Sequence, residues 1–254
     1  MTDKSTSQTL RRGLMVLDHF HGNDIEYSVK ELTNKLNISS TVMFRLVNTL
    51  VESGYLTKNI STGKYRLGLN AYKLGLYANP NLKLQQVARP FLEKIAQLTR
   101  ETVSLNVVDP LTLEGVCIVS IESSNDIKFS SPVGLSRPVY RGASRKVLLA
   151  FMEPFQQEQV FQRAISEGFT NINELKKDLE NIRMQGFAYT EGEVYEGALN
   201  VSAPVLSNDG LILAGVSIHS PVFRKEEDTV TSFSNYVIEA AKHIGNAMER
   251  NIPR

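Results

Sequence analysis

The sequence predicts an α+β protein in two parts: an N-terminal winged helix-turn-helix domain, joined by a linker helix to a larger α+β domain. Three observations carry this expectation. Residues 26–67, EYSVKELTNKLNISSTVMFRLVNTLVESGYLTKNISTGKYRL, pass through two short helical patterns, a turn and a basic hairpin without interruption. Asn79-Pro80-Asn81 stops one helical pattern and precedes another, because proline lacks an N–H and clashes with the turn before it. Beyond it, strand-like runs meet in hairpins with helical patterns before and after them, the order of an α+β sheet and not of a βαβ nucleotide fold. The expected boundaries are 1–67 for the first domain, 68–80 for the linker helix and 81–254 for the second domain.

Leu10, Leu14 and Leu17, with Val16 and Phe20, make an amphipathic helix from about Gln8 to His21 that should pack across the next two. Val29, Leu32 and Leu36 share one face of the second helix, and Ser28 with Glu31 forms a capping box at its start. Asn37-Ile38-Ser39 breaks that pattern, and Ser39 or Ser40 can cap a third helix whose apolar stripe is Val42, Leu46 and Leu50, with Met43 on its edge. Its opposite face carries Ser40, Thr41, Phe44 and Asn48, with Arg45 on the shoulder. Such a face offers hydrogen-bonding groups to base edges and phosphates. Phe44 either waits there for a thymine methyl or deoxyribose, or belongs to the core through a rotated helix phase. Gly54 ends the helix, and YLTK and GKYRL flank a turn at Asn59 to Gly63. Lys58, Lys64 and Arg66 gather near that loop, as a contact to the DNA backbone or minor groove or as ordinary solvated cations.

LNAYKLGLYA continues as the linker helix, and a helix from Leu82 to about Thr99 presents Leu84, Val87, Phe91, Ile95 and Leu98 on one side. TVSLNVVD, LEGVCIVSIESS and KFSSPVG read as strands. Helical patterns follow at about Ala143 to Met152, Pro154 to Glu167 and Asn173 to Gln185. LNVSAPVLS and LILAGVSIHS then flank Asn208-Asp209-Gly210, whose Asp-Gly pair suits a tight hairpin turn, and a helix from about Glu226 to Glu249 closes the chain.

At 254 residues and 42% hydrophobic, the chain is long enough for two cores. No apolar run reaches the roughly 20 residues of a membrane helix, and MTDKSTSQ lacks the apolar stretch of a signal peptide. A single cysteine, Cys117, excludes an internal disulfide and fits a reducing compartment, so a cytoplasmic location is expected. The net charge of +1 is unevenly spread: residues 1–72 hold 9 Lys+Arg against 6 Asp+Glu, leaving 19 against 21 for the rest. With so modest an excess, DNA affinity must come from a few placed cations and from dimerisation.

The chain resembles the IclR family of bacterial transcriptional regulators over about residues 8–250. The stretches that carry the likeness are RRGLMVLDHF, SSTVMFRLVNTLVESGY with YRLGL, ARPFLEKIAQLTRETVSLNVVD, VGLSRPVYRGASRKVLLAF, LENIRMQGFAYTEGEVYEGALNVSAPV and GVSIHSP, in that order. The resemblance implies a GAF-like effector-binding C-terminal domain, homodimers joined through the DNA-binding halves, and often tetramers. It maps the recognition helix onto Ser40, Thr41, Phe44 and Arg45. It lines the effector cavity with the segment Gly134 to Ala143 and with the strands holding Asn200 and Ser217-His219. Where the family commonly has a cysteine this chain has Asn200, and it has Gly142 and Arg145 where threonine and glycine are frequent, so the effector of a relative does not transfer.

The expected sites are therefore Ser39, Ser40, Thr41, Phe44, Arg45, Asn48, Lys58, Lys64 and Arg66 for double-stranded operator DNA. Gly134, Arg141, Gly142, Ala143, Asn200, Ser217 and His219 are expected to hold a small carboxylate effector. The N–H groups of Gly142-Ala143-Ser144 at a helix start would attract the anion, and Arg145 either joins them or points outward. Neither a cofactor nor a metal is expected, and His19, His21, His219 and His243 show no metal-ligand spacing. The expected function is regulated transcription, with repression the expected direction. Two alternatives are a DNA-binding protein whose second domain only oligomerises, and a hydrolase fused to a DNA-binding domain. The latter is disfavoured because Cys117 sits in the apolar run VCIVSI and no nucleophile–base pair is visible.

Overall fold

The computed structural model describes residues 6–20, 26–77 and 82–249 and divides into two compact units, Met1–Pro80 and Asn81–Arg254. His21 and Asn79-Pro80-Asn81 lie outside the described residues.

In the first unit, α1 (Gln8–Asp18), α2 (Val29–Leu36) and α3 (Ser40–Glu52) enclose a core of Val16, Phe20, Leu32, Met43, Leu46 and Val47. The capping box forms: Ser28 Oγ accepts from Glu31 N at 3.2 Å, and Glu31 Oε2 accepts from Ser28 N at 2.6 Å. Asn37 closes α2 in the left-handed conformation at φ 50°. The apolar face of α3 is rotated from the expected one: Met43, Leu46 and Val47 are buried, while Val42 and Leu50 are only half-buried. The outer half of α1 also departs from expectation, since Leu10 and Leu14 are exposed. Strands β1 (Leu56–Lys58) and β2 (Tyr65–Leu67) pair antiparallel, and β2 takes a further bridge to Tyr27, so the wing is pinned to the entry of α2. Gly68 N donates to Tyr55 O, and a Cβ on Gly68 would come within 2.3 Å of Gly54 O. Only glycine permits this approach, which sets the start of α4 (Leu69–Tyr77) against the end of α3. No residue of α4 is buried.

The second unit is built on a six-stranded antiparallel sheet in the order β5-β4-β3-β8-β7-β6. Its strands are β3 (Thr102–Val108), β4 (Glu114–Ile121), β5 (Ser136–Pro138), β6 (Ala188–Glu191), β7 (Ala198–Leu206) and β8 (Ile212–Pro221). Alternation along β3, β7 and β8 sends Val103, Leu105, Leu199, Val201, Val216 and Ile218 to one face, where α5 (Leu82–Thr99) and α9 (Thr229–Glu249) cover them. The other face meets α6 (Ala143–Ala150), which belongs with α7 (Pro154–Ser166) and α8 (Ile172–Gln185) to a second core.

Two details differ from the sequence reading. KFSSPVG is not a strand. Pro132 has no N–H for a ladder and Gly134 turns at φ 86°, so pairing with β4 starts only there, with Gly134 N donating to Cys117 O and Cys117 N to Leu135 O. Strand β6 was not anticipated; four residues, AYTE, are too few to show a period. The tight turn expected at Asn208-Asp209-Gly210 forms: Gly210 N donates to Ser207 O and Ser207 N to Leu211 O, both at 2.9 Å, with Gly210 at φ 78°.

Candidate functional site

On α3 the exposed ridge consists of Ser40, Thr41, Phe44 and Arg45, with Asn48 half-buried behind them. Phe44 is 53% exposed, so the rotated phase does not bring it into the core. Ser39 occupies the N-cap position, yet its hydroxyl makes no capping bond. The first-turn N–H groups of α3 therefore gain no side-chain acceptor from Ser39. The Arg45 guanidinium has no ion-pair partner among the described residues. In the wing, Lys58 Nζ lies 5.8 Å from the Tyr65 ring centroid, and Arg66 is exposed. Lys64 behaves differently from the reading of three available cations: its Nζ is 2.9 Å from Glu31 Oε1. The Ser28 N–H and this ammonium hold the Glu31 carboxyl down at about 2.

The second unit contains a cavity of about 490 Å³ between the sheet, the start of α6 and the loop 192–197. Arg137, Arg141, Gly142, Ser144, Arg145, Tyr195, Asn200 and His219 all line it. Of the residues expected there, Gly134 is an exposed turn glycine outside the lining, and Ala143 and Ser217 lie behind it. Two of the three N–H groups expected to receive an anion, those of Gly142 and Ala143, are already occupied. Gly142 N donates to Glu193 Oε1 at 3.2 Å, and Ala143 N donates to Thr190 Oγ1 at 3.1 Å. Glu193 is held in turn by Lys146, 3.0 Å from its Oε2. The chain thus supplies its own carboxylate to this helix start.

Three arginines line the cavity: Arg137 and Arg141 are exposed, and Arg145 is buried. It is 5% exposed, lines the cavity and has no carboxylate partner among the described residues. Burial lowers its pKa to about 10, so it remains charged near neutral pH. Its Nη1 donates to Asn106 Oδ1 at 2.5 Å, and its side chain crosses Gly115, where a Cβ would come within 2.3 Å of Arg145 Cδ. Desolvating an unpaired guanidinium costs several kcal/mol, which an anion in the cavity would offset.

Behind the wall lies a row of polar side chains, Ser104, Asn106, Ser202 and Ser217, all fully buried. They alternate with valines and leucines on β3, β7 and β8 and come side by side because Ser104 pairs with Ser217, and Ser217 with Ser202, across the strands. Asn106 Nδ2 donates to Ser104 Oγ at 2.9 Å, Ser104 Oγ lies 2.7 Å from His219 Nε2, and His219 Nδ1 bonds Asn200 Oδ1. Burial, with the Arg145 charge, lowers the His219 pKa to about 3, which leaves the ring neutral. Period-two polarity on three adjacent strands was the signal for this network; read one strand at a time, it resembles a solvent face.

Two features bear on the enzyme alternative. Cys117 is buried, its single S–H lies within reach of Val119 O at 3.3 Å and Ser131 O at 3.2 Å, and burial raises its pKa. Ser217 and His219 do not hydrogen-bond one another: Ser217 Oγ lies 2.8 Å from Ser202 Oγ.

Two family models match. That for the C-terminal domain of the bacterial transcriptional regulator IclR covers residues 78–246, and that for the IclR helix-turn-helix domain covers residues 9–59. The HTH-type transcriptional regulator KdgR of Escherichia coli K12 is 28% identical over 232 residues, spanning 89% of this chain and 88% of its own. The transcriptional repressor IclR of the same organism is 24% identical over 242 residues, spanning 93% and 88%. Among solved structures, an IclR homologue from Microbacterium hydrocarbonoxydans in complex with 4-hydroxybenzoate superimposes with a TM-score of 0.81 at 25% identity, covering 96% of this chain and all of that one.

Proposed function

Because the chain belongs to the IclR family and is a DNA-binding transcriptional regulator, we propose that a small organic acid in the Arg145 cavity sets its affinity for operator DNA. The observation that carries this reading is the buried guanidinium of Arg145, which lines a cavity and has no carboxylate partner among the described residues. A second unit that served only to oligomerise would gain nothing from a buried, uncompensated charge facing an open volume. The 4-hydroxybenzoate bound to the Microbacterium relative supports an organic acid as the class. For the sensor to act, the acid must bind two states of the protein with different affinity.

The proposed division of labour follows the sequence. Residues 1–67 read DNA, residues 68–80 link, and residues 81–254 bind effector and oligomerise. Ser39, Ser40, Thr41, Phe44, Arg45 and Asn48 form the groove-reading ridge, with Lys58 and Arg66 as backbone contacts from the wing. Lys64 acts through Glu31, fixing the wing to α2. Arg141 and Asn200 join Arg145 in the cavity. A homodimer or tetramer is supported by the exposed apolar side chains of α1 and α4, among them Leu10, Leu14, Leu69, Tyr72 and Leu76. Repression is the proposed direction, as in the E. coli repressor to which the chain is similar, and the cytoplasm is the proposed compartment. Fluorescence anisotropy on duplexes from the gene's own upstream region, with and without a panel of carboxylates, tests the reading. Selective binding that a carboxylate alters supports it, and binding indifferent to every acid returns the second unit to an oligomerisation role.

A further inference from the structure

Resting on that reading of the cavity, we infer that the buried network fixes the hydrogen-bond polarity of its far wall: Asn200 is locked with its amino group toward the ligand, so the effector must place an acceptor oxygen there.

The Arg145 guanidinium can only donate. Asn106 must therefore turn its Oδ1 toward Arg145 Nη1, 2.5 Å away, which leaves its Nδ2 hydrogens to donate elsewhere. One goes to Ser104 Oγ at 2.9 Å, and the other is directed at Ser217 Oγ, 3.5 Å away. Ser202 Oγ spends its only hydrogen on Val216 O at 2.9 Å, so Ser217 donates to Ser202 and remains an acceptor for Asn106. Ser104 Oγ accepts from Asn106, and its one hydrogen finds no other acceptor among the described residues, so that hydrogen points to His219 Nε2 at 2.7 Å. The acceptor nitrogen of His219 is thereby Nε2, and the ring must carry its hydrogen on Nδ1 and donate to Asn200 Oδ1. What remains of Asn200 is its Nδ2, for which no partner is found among the described residues and which belongs to a residue lining the cavity.

Every bond in this chain runs in one direction, from Arg145 through Asn106, Ser104 and His219 to Asn200. Both ends line the same cavity, and both offer only donors. The ligand class that fits carries a carboxylate and a second acceptor oxygen, as hydroxy and oxo acids and dicarboxylates do, whereas an ammonium at Asn200 would face hydrogens. A second proton on His219 would leave the Ser104 hydroxyl hydrogen without an acceptor, so the network itself resists imidazolium.

The test is long-range 15N–1H NMR on the full-length protein labelled at histidine, with the His219 signals assigned by their loss in His219→Gln. The expected pattern near neutral pH is a protonated Nδ1 and an unprotonated Nε2. The opposite tautomer, or an imidazolium, would overturn the inference. In Ser104→Ala the hydrogen that fixes Nε2 is gone, and both nitrogen shifts should move toward a mixture of tautomers; unchanged shifts would show that the network does not set the polarity. These readings need no ligand. Thermal shifts with matched carboxylate and amine pairs, from acetate and ethylamine to benzoate and benzylamine, address the ligand separately. Stabilisation by an amine, reduced in Asn200→Leu, overturns the inferred wall, whereas a carboxylate series without effect removes the organic-acid reading of the cavity and leaves the tautomer result to stand by itself.

Discussion

Arg145 lies across the bare Cα of Gly115, so close that a methyl group on Gly115 would come within 2.3 Å of Arg145 Cδ and 2.8 Å of its Nε. The site thus depends on an absent side chain on β4 as much as on a present one on α6. Gly115→Ala should displace the guanidinium and strain the packing by about 1–3 kcal/mol. Urea denaturation measures the stability change. Wild-type stability in that variant would show that the contact relaxes freely.

Arg145→Met separates stability from sensing. Removing the buried charge returns its desolvation cost, while leaving Asn106 Oδ1 without its donor costs about 1–3 kcal/mol. The opposing terms predict ligand-free stability within roughly 2 kcal/mol of wild type, together with loss of stabilisation by any carboxylate that stabilises the parent. Calorimetry with and without the acid reads both quantities. Continued stabilisation by the acid would move the anion site elsewhere.

His219 makes the second unit acid-sensitive in a defined window. Its pKa is lowered from 6.5 to about 3 in the folded protein, so between these values the unfolded chain binds a proton that the folded one refuses. Stability is therefore unaffected above about 6.5 and falls with decreasing pH through that window, by at most about 1.4 kcal/mol per unit. Denaturation midpoints recorded from pH 7 to pH 4.5 should decline, and the decline should shrink in His219→Gln. A slope that His219→Gln leaves intact belongs to other groups.

The α3 ridge yields a contrast between neighbours. Arg45→Ala should weaken operator binding and lower the slope of log affinity against log salt by about 1. Phe44→Ala should weaken it roughly tenfold, or 1.4 kcal/mol, with the salt slope unchanged, because an apolar contact releases no counterions. Lys64→Ala should change the slope least of the three, since its ammonium is engaged by Glu31. Salt titrations by anisotropy distinguish them, and a large slope change in Lys64→Ala would place that cation on the DNA.

The division into α+β parts and the capping box at Ser28 and Glu31 were accessible from periodicity and cap chemistry, because those signals are local, whereas the exposure of Phe44 is decided by packing alone. The rotated core face of α3 was not accessible either, since Val42 and Val47 are equally apolar and only packing against α1 and α2 selects between them. In the cavity, helix-start chemistry pointed to Gly142 and Ala143 but could not reveal that Glu193 and Thr190, some 50 residues later, already occupy their N–H groups. Arg145 was left open for a related reason: its direction depends on Gly115, which lies on a strand far from it in sequence.

Whether a buried guanidinium makes DNA binding answer to an organic acid is decided by operator anisotropy on wild type and Arg145→Met in parallel, across one carboxylate panel. Equal affinity of both proteins for the duplex without ligand is expected, with an acid-induced change in the wild type alone. The same change in both proteins would contradict it.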